Sequence, residues 1–400
     1  MTSQPRPATE FCPYCGEDRA RSDFTKEHVL PQALGGNLQP SNPFSISACG
    51  RCNSTCGRYV DGRFIRSWLI HNWRAESHRR TYDPKNSVLS LVWFGKLADW
   101  SGIDGTVADF WLGPAGDLIY HFHEPYPDVD ATVFAGRPPH VPLARTDPGA
   151  VYVALRSGTN DWLQTLMRSL TKTFGSEASL HFLNAAPAGY QTPYPVVPRE
   201  RHAHVEWISS RRTDEPLQAR FAVDADWGVR FLAKFGLGLG VAVLEPGYDR
   251  SAYADELRKA LWSREPASRQ SIRVRGRGFL NSDPTMTKLL GWSDCHSILL
   301  RADGSRLMAI LTLYGQAQAS IVVADDPLFW RARFDEEGTI WVIAPGFGRY
   351  EGPMPLSEYF HAANDDTSAS RLSKLRAILV SGQPLPSLPR IESAQSPGTT

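Results

Sequence analysis

Two Cys-x-x-Cys pairs, CPYC at 12–15 and CGRC at 49–52, constrain the fold of this chain more than any other feature. Pairs separated by 33 residues are typical of a structural zinc site, in which four thiolates surround the metal. Such a zinc ion stabilises domains whose apolar core is thin. We therefore predict one zinc ion bound by Cys12, Cys15, Cys49 and Cys52. An alternative ligand is Cys56, one helical turn beyond Cys52, although a small buried side chain is the simpler interpretation.

Between the cysteine pairs lies the doublet Glu27-His28, and Asn53 follows the last cysteine directly. Histidine, with an ordinary pKa of about 6.5, can act as a general base at neutral pH. Carboxylate and amide oxygens are hard ligands that favour Mg²⁺ or Mn²⁺, and a base with a bound cation suits phosphodiester hydrolysis. Neighbours on a regular strand point to opposite faces, so the doublet shares one site only if the strand twists or ends there, as Pro31 suggests. Alone, His28 would be an ordinary half-buried histidine.

The segment EHVLPQALGG, enclosed by CPYC and CGRCN, resembles the HNH endonuclease superfamily, and most closely its four-cysteine branch. The similarity covers residues 11 to about 62. It implies a ββα-metal (treble-clef) fold, one catalytic divalent cation, and cleavage of nucleic acid, usually DNA. It also implies that His28 is the general base and that Glu27 and Asn53 bind the cation.

The sequence departs from the HNH pattern at three positions. The family more often has aspartate where Glu27 stands, and often histidine in place of Asn53. The middle asparagine of the motif, which would orient the base, should precede Cys49 by about five residues. Asn42 lies seven residues before Cys49 and is the candidate, with Asn37 as an alternative.

Charge is distributed unevenly along the chain, although the net charge is only +1. From Phe44 to Lys85 there are eight cationic and three anionic side chains, which gives +5. This excess suits a polyanionic partner, and a solvated basic helix face explains it equally well. We predict nucleic acid, specifically DNA, as the partner, with Arg51, Arg58 and Arg63 contacting phosphates.

A chain of 400 residues is long enough for more than one domain. We predict an α+β protein with a zinc-containing nuclease domain at its N-terminus. The predicted divisions are a disordered lead over 1–10, the zinc domain over 11–82, a mixed α+β region with mainly antiparallel sheet over 86–382, and a disordered tail over 383–400. The large region would recognise substrate, regulate or dimerise. Its sequence does not predict an oligomeric state.

Local patterns predict the elements of the large region. Segments 297–302 and 306–314 form a hairpin around the turn residues Asp303-Gly304. The other predicted strands are 88–94, 106–112, 117–123, 150–155, 179–185, 204–210, 218–223, 319–324 and 339–345. The predicted helices are 161–174, 226–240, 251–262 and 369–379.

Several further motifs have a structural interpretation. GLGLG at 236–240 follows a helical segment and predicts close helix packing rather than a phosphate loop. The pairs His121/His123 and His202/His204 alternate at strand spacing, so the two residues of each pair share a face and could bind a metal. Without a nearby carboxylate cluster, they indicate ordinary sheet surface. RVRGRGF at 273–279 suits either a phosphate backbone or a basic edge strand. Cys295 is interpreted as an unpaired thiol.

The composition, with 42% hydrophobic and 21% charged residues, is typical of globular proteins. There is no run of roughly 20 apolar residues such as a membrane span needs, and no signal-peptide pattern, so we predict a cytoplasmic protein. The favoured function is a metal-dependent endonuclease. A non-catalytic zinc-knuckle adaptor that binds nucleic acid is the alternative, but it assigns no role to Glu27-His28. An enzyme with its chemistry in the large region lacks support, because that region contains no nucleotide fingerprint or catalytic triad.

Overall fold

The computed structural model describes most of the chain in two compact units. Among the described residues, 8–77 and 225–375 form the first unit, and 78–221 form the second. The predicted region 86–382 is therefore divided between the two units. The described ranges are 8–38, 43–82, 89–100, 105–125, 149–156, 162–184, 201–211, 217–221, 225–275, 279–280, 282–364, 372–373 and 375.

The N-terminal part of the first unit consists of two antiparallel strand pairs followed by helices. The elements are β1 (Thr9–Cys12), β2 (Glu17–Ala20), β3 (Phe24–His28), β4 (Ser45–Cys49), α1 (Gly50–Thr55), a π-helical turn (Cys56–Asp61), α2 (Gly62–Arg66) and α3 (Trp68–Arg80). Strand β1 pairs with β2, and β3 pairs with β4. Two strands that lead into a cysteine-bearing helix are consistent with the predicted ββα zinc domain.

The helical spacing of Phe64, Ile65, Trp68 and Leu69 predicts a helix over 64–73, and the structure interrupts it at Ser67. The backbone of Ser67 is extended, with φ −58° and ψ 147°, and its hydroxyl donates a hydrogen bond of 2.6 Å to the carbonyl of Phe64. Serine competes for backbone groups in this way, which ends α2 before α3 begins.

The second unit is built around a six-stranded sheet in the order β10-β5-β6-β7-β8-β9. Its pairs are antiparallel except for the parallel pair β8 and β9. The elements are β5 (Val92–Leu97), β6 (Val107–Leu112), β7 (Leu118–His123), β8 (Ala150–Ala154), α4 (Leu163–Phe174), β9 (Ser179–Phe182), α5 (His202–Ser210) and β10 (Ala219–Arg220).

The prediction of a strand over 204–210 is wrong, because this segment belongs to helix α5. His204, Trp207 and Ile208 recur at i, i+3 and i+4, and this spacing places all three on one helical face. The ring of His204 stacks on Phe122 at 4.1 Å, and Trp207 meets Trp100 edge-on. The apolar residues of this segment also partly alternate, as in a strand. Packing of one helical face against the sheet favours the helix.

The C-terminal part of the first unit has a six-stranded antiparallel sheet in the order β11-β14-β13-β12-β15-β16. The predicted hairpin is formed by β12 and β13, and Asp303 pairs with Arg306 at its turn. The elements are α6 (Ala225–Val243), α7 (Ala252–Trp262), β11 (Val274–Arg275), α8 (Pro284–Leu290), β12 (His296–Asp303), β13 (Arg306–Leu313), β14 (Ala317–Ala324), β15 (Thr339–Ala344), β16 (Arg349–Pro355) and α9 (Leu356–Asn364).

Two features predicted for this part lie only partly within the described residues. RVRGRGF contributes β11, an edge strand, while 276–278 lie outside the described residues. The predicted helix over 369–379 lies mostly outside them too. The mixed α+β fold with mainly antiparallel sheet is confirmed.

Helix α6 is buried without interruption from Arg230 to Gly240, and its glycines allow close packing. A Cβ atom at Gly238 would lie 2.7 Å from the Tyr14 hydroxyl and 3.2 Å from Val29, so α6 approaches the N-terminal strands directly. GLGLG therefore serves helix packing, as predicted. Lys234 is four residues before Gly238 and faces the same side.

We expect Gly238→Ala to reduce the free energy of unfolding by about 1–3 kcal/mol, because overpacking forces neighbouring atoms apart. Denaturant unfolding measures the change. Gly57→Ala is the matched control, since a Cβ there meets no atom within 4 Å. Equal stability of the two variants would show that α6 can shift away without loss.

Among the helices that the structure describes, none combines the length and the apolar character that crossing a bilayer requires.

Candidate active site

The four predicted zinc ligands meet at one point of the first unit. Cys12 ends β1, Cys15 follows in the turn, Cys49 ends β4, and Cys52 lies in α1. Their sulfur atoms are all within 4.8 Å of one another. Cys15 is partly exposed and the other three are buried. Four converging sulfurs in a closed site fit a tetrahedral zinc ion, and zinc is expected to add to the stability of this part of the chain.

The electrostatics of the cluster also suit a metal. The contact with Cys15 lowers the pKa of Cys12 to about 7, and the contact with Cys12 lowers the pKa of Cys49 to about 7, while contacts with the other three cysteines raise the pKa of Cys52, so the four thiols share their protons. Thiolates are the metal-binding form of cysteine. Cys56 is outside the cluster, and burial raises the pKa of its thiol well above the ordinary value. It is the small buried side chain that the simpler interpretation assumed.

The Glu27-His28 doublet lies at the end of β3, where Glu27 pairs with Ile46 and His28 with Ser45. His28 is the last residue of β3, so the alternation of side chains along a regular strand does not fix its direction relative to Glu27. Glu27 faces inward and is only 4% exposed, whereas His28 is half-buried. The strand stops at His28, as Pro31 suggested.

Lys234 of α6 lies against this doublet and is fully buried. Its ammonium nitrogen is 2.6 Å from Glu27 Oε1 and 2.8 Å from Asp61 Oδ2. It also donates a hydrogen bond of 2.9 Å to the backbone carbonyl of His28. The contacts with Asp61 and with the His28 carbonyl are hydrogen bonds, and the contact with Glu27 is an ion pair. Both residues of the doublet are therefore held by one side chain from the C-terminal part of the unit.

Burial raises the pKa of Asp61 to about 6, even though Lys234 opposes the shift. Burial would lower the pKa of Lys234, but the carboxylates of Asp61 and Glu27 outweigh it and raise this pKa above its ordinary value. The lysine therefore remains charged. Burial lowers the pKa of His28, and the charges of Lys26 and Lys234 add to the effect. His28 is thus held in its neutral form, which a general base needs.

Asn53 is also positioned against β3. Its amide nitrogen donates hydrogen bonds of 2.9 Å to Thr25 Oγ1 and 2.9 Å to the carbonyl of Lys26. Both amide hydrogens are used in this way, so the amide oxygen points away from these acceptors. Thr25 and Glu27 are two residues apart and share one face of the strand. Asn53, which is bound to Thr25, therefore lies on the face of β3 to which Glu27 also belongs.

The structure describes all but one of the remaining predicted site residues, and their exposure differs. Asn42 lies outside the described residues, and Asn37 is exposed in a turn. Arg58 is exposed and Arg51 is partly buried. The guanidinium of Arg63 stacks over the ring of Trp227 at 4.3 Å, which gives this arginine a packing role in the first unit.

Comparison with known protein families finds a match for the segment that contains the cysteines, the doublet and Asn53. Residues 12–69 match the HNH endonuclease family. We call these residues the HNH module. No curated protein and no solved structure matches the chain. The family match therefore applies to the HNH module and does not extend to the rest of the chain.

The sequence did not predict the roles of Lys234 and Asp61. Lys234 contacts Glu27 and the backbone of His28, and Asp61 contacts Lys234. Asp61 is part of the matched segment but has no fixed spacing to the cysteines. Lys234 follows His28 by 206 residues. Its surroundings offered one signal, a lysine inside an otherwise apolar helix (FLAKFGLGLG), which is costly to bury without a partner.

The zinc site of the HNH module can be tested by Cys49→Ala. We expect this variant to lose one equivalent of zinc and to unfold at lower temperature, because three thiolates no longer close the site. Metal analysis and thermal unfolding measure both effects. Cys295→Ala is the control, since Cys295 is outside the cluster and burial raises the pKa of its thiol to about 12. An unchanged zinc content in Cys49→Ala would contradict the assignment.

Proposed function

We propose that this chain is an endonuclease that hydrolyses phosphodiester bonds of nucleic acid, with DNA as the substrate. The observation that carries the proposal is the position of Asn53 and Glu27 on one side of β3, next to a thiolate cluster, in a segment that matches the HNH endonuclease family. Within this proposal His28 is the general base. Glu27 and Asn53 are the ligands of a catalytic Mg²⁺ or Mn²⁺.

The orientation of the donor atoms supports this set of ligands. Asn53 uses its amide nitrogen against the strand, so its oxygen is available for a hard cation. Lys234 contacts Oε1 of Glu27, so coordination would fall to Oε2. One carboxylate and one amide oxygen suit Mg²⁺, which keeps several waters and binds through few protein ligands.

Each of the proposed site residues has its own role in the reaction. His28 accepts the proton of the attacking water, and its lowered pKa keeps it ready to do so at neutral pH. Glu27 and Asn53 orient the site. A bound cation would offset the charge that develops on the phosphate. Arg58, which is exposed, and Arg51 are proposed to hold the substrate backbone, and affinity should then fall steeply with salt.

The test is cleavage of supercoiled plasmid by the purified chain with Mg²⁺ or Mn²⁺. We expect wild-type protein to nick or cut it, and His28→Ala to be slower by about 10²–10⁴-fold, the usual contribution of a general base. His202→Ala is the matched control, because His202 belongs to the second unit. If wild type leaves plasmid and single-stranded DNA intact with either metal at low salt, the proposal fails. If His28→Ala cuts at the wild-type rate, His28 is not the base.

One observation favours a second candidate, a zinc-containing adaptor that binds nucleic acid without cutting it. The ammonium of Lys234 already neutralises the charge of Glu27 in a buried ion pair, as a structural carboxylate would require. The two candidates differ in a binding assay. The adaptor binds DNA with a strong salt dependence and leaves it intact, whereas the endonuclease binds DNA and cleaves it.

A further inference from the structure

We propose that Asp109, His121 and His123 form a second metal site, which binds a divalent transition metal of the Zn²⁺ type. The site is separate from the cysteine cluster because it belongs to the second unit. The candidate ligand atoms of the three side chains all lie within 4.8 Å of one another, and all three residues are buried.

The sheet itself brings these side chains together. Asp109 of β6 is directly opposite His121 of β7, and directly opposed residues of an antiparallel pair share a face. His123 is two residues beyond His121 and therefore lies on that same face. The sequence predicted the shared face of the two histidines. It did not predict the carboxylate, because Asp109 approaches through strand pairing, and the interpretation of His121 and His123 as ordinary sheet surface is wrong.

Both ring nitrogens of His123 face oxygen acceptors, and this arrangement requires a positive charge on the ring or next to it. Its Nδ1 is 2.6 Å from the carbonyl of Glu124, so this nitrogen carries the hydrogen. Its Nε2 is 3.0 Å from Asp109 Oδ2. In the neutral ring, the Nε2 lone pair would face the carboxylate lone pair directly. Either an additional proton or a metal cation resolves this opposition.

The surroundings favour the metal over the proton. The ring of His121 stacks on His123 at 4.4 Å and brings another nitrogen to the cluster, so three donor groups converge as the ligands of one metal ion do. Asp109 is 3% exposed, and its Oδ1 accepts no hydrogen bond from any residue that the structure describes. Buried carboxylate oxygens normally have partners. One metal ion would satisfy the carboxylate and both rings together.

The donor set defines the class of metal. Two imidazoles and one carboxylate suit zinc and other first-row divalent ions rather than Mg²⁺ or Ca²⁺. The hydrogen bond from His123 Nδ1 to a backbone carbonyl is the outer contact that usually fixes a metal-binding histidine. His121 also packs on Phe174 of α4, with ring centroids 4.6 Å apart. A bound metal would therefore link β6 and β7 beneath this helix.

The experiment measures metal bound to the full chain after loading with excess Zn²⁺ and desalting into metal-free buffer. We expect two zinc equivalents in wild type and one in Asp109→Asn, which preserves the size of the side chain. His181→Asn is the control and should keep two, because His181 is a buried histidine of the same unit that stacks on Tyr152 outside the cluster. His121→Gln and His123→Gln provide the same test if circular dichroism shows Asp109→Asn to be unfolded.

Substitution with Co²⁺ separates the two sites by spectroscopy. A nitrogen–oxygen site gives weak visible bands, whereas a thiolate site adds intense sulfur-to-metal charge transfer. Asp109→Asn should lose the first signal and keep the second. One zinc equivalent in wild type, or two in both folded Asp109→Asn and folded His123→Gln, would overturn the proposal and leave a protonated His123–Asp109 pair.

Discussion

Lys234→Met is expected to lower the free energy of unfolding by about 3–5 kcal/mol and to abolish cleavage of DNA. The substitution keeps most of the volume of the side chain but removes the charge. Glu27 and Asp61 would then be two buried carboxylates, 4% and 6% exposed, without the ammonium that contacts both. Removal of one partner from a buried ionic cluster leaves an uncompensated charge, which is more harmful than removal of the whole cluster.

Denaturant unfolding and the plasmid assay measure the two effects of this substitution. Lys259→Met is the matched control, because Lys259 pairs with Glu256 on the surface of α7, and its loss should leave the unfolding midpoint unchanged. A triple variant, Glu27→Gln with Asp61→Asn and Lys234→Met, should recover stability but remain inactive. If Lys234→Met unfolds at the wild-type denaturant concentration, the buried cluster does not stabilise the fold as described.

A fragment ending at residue 82 is expected to be unfolded even with zinc and to cut no DNA. Within the full chain, Phe64 stacks on Phe231 of α6 with ring centroids 3.8 Å apart. The indole of Trp262 in α7 donates a hydrogen bond of 2.8 Å to the carbonyl of Tyr14. Without α6 and α7, the apolar surface of the HNH module would be exposed to water, and a domain of this size has little other core.

The fragment is measured by circular dichroism, by the cooperativity of its thermal unfolding, and in the plasmid assay. A second fragment, residues 222–382, is the informative partner, because it supplies α6, α7 and the six-stranded sheet. Mixing or co-expressing the two should restore cooperative unfolding and activity. An isolated fragment 1–82 that binds zinc, unfolds cooperatively and cleaves plasmid would contradict the expectation and show that the HNH module is autonomous.

Those features that local spacing determines could be predicted from the sequence. The two Cys-x-x-Cys pairs predicted the thiolate cluster, because tetrahedral zinc allows few arrangements at that spacing. The turn Asp303-Gly304 between two apolar runs predicted the hairpin of β12 and β13. In both cases the interacting residues are close in sequence or belong to a motif with a known geometry.

Features that depend on distant packing could not be predicted in this way. The position of Lys234 beside Glu27 depends on how closely α6 packs against β3, and no local pattern encodes that approach. The same holds for Asp109, which meets His121 only through strand register. The residues of 204–210 fit both the two-residue period of a strand and the 3.6-residue period of a helix. Aromatic contacts with the neighbouring sheet favour the helix.

The contact between Lys234 and the Glu27-His28 doublet has a consequence during translation of the protein. The HNH module leaves the ribosome first, but its doublet lacks the ammonium until 181 further residues beyond Asn53 have been made, which takes about 10–40 s at a synthesis rate of about 5–20 residues per second. Under the proposed endonuclease function, the nascent chain would therefore be inactive beside the nucleic acids that surround its own synthesis. Ribosome-bound chains arrested before α6 should leave added plasmid intact, and released full-length chains should cut it. Cleavage by the arrested chains would show that the delay does not exist.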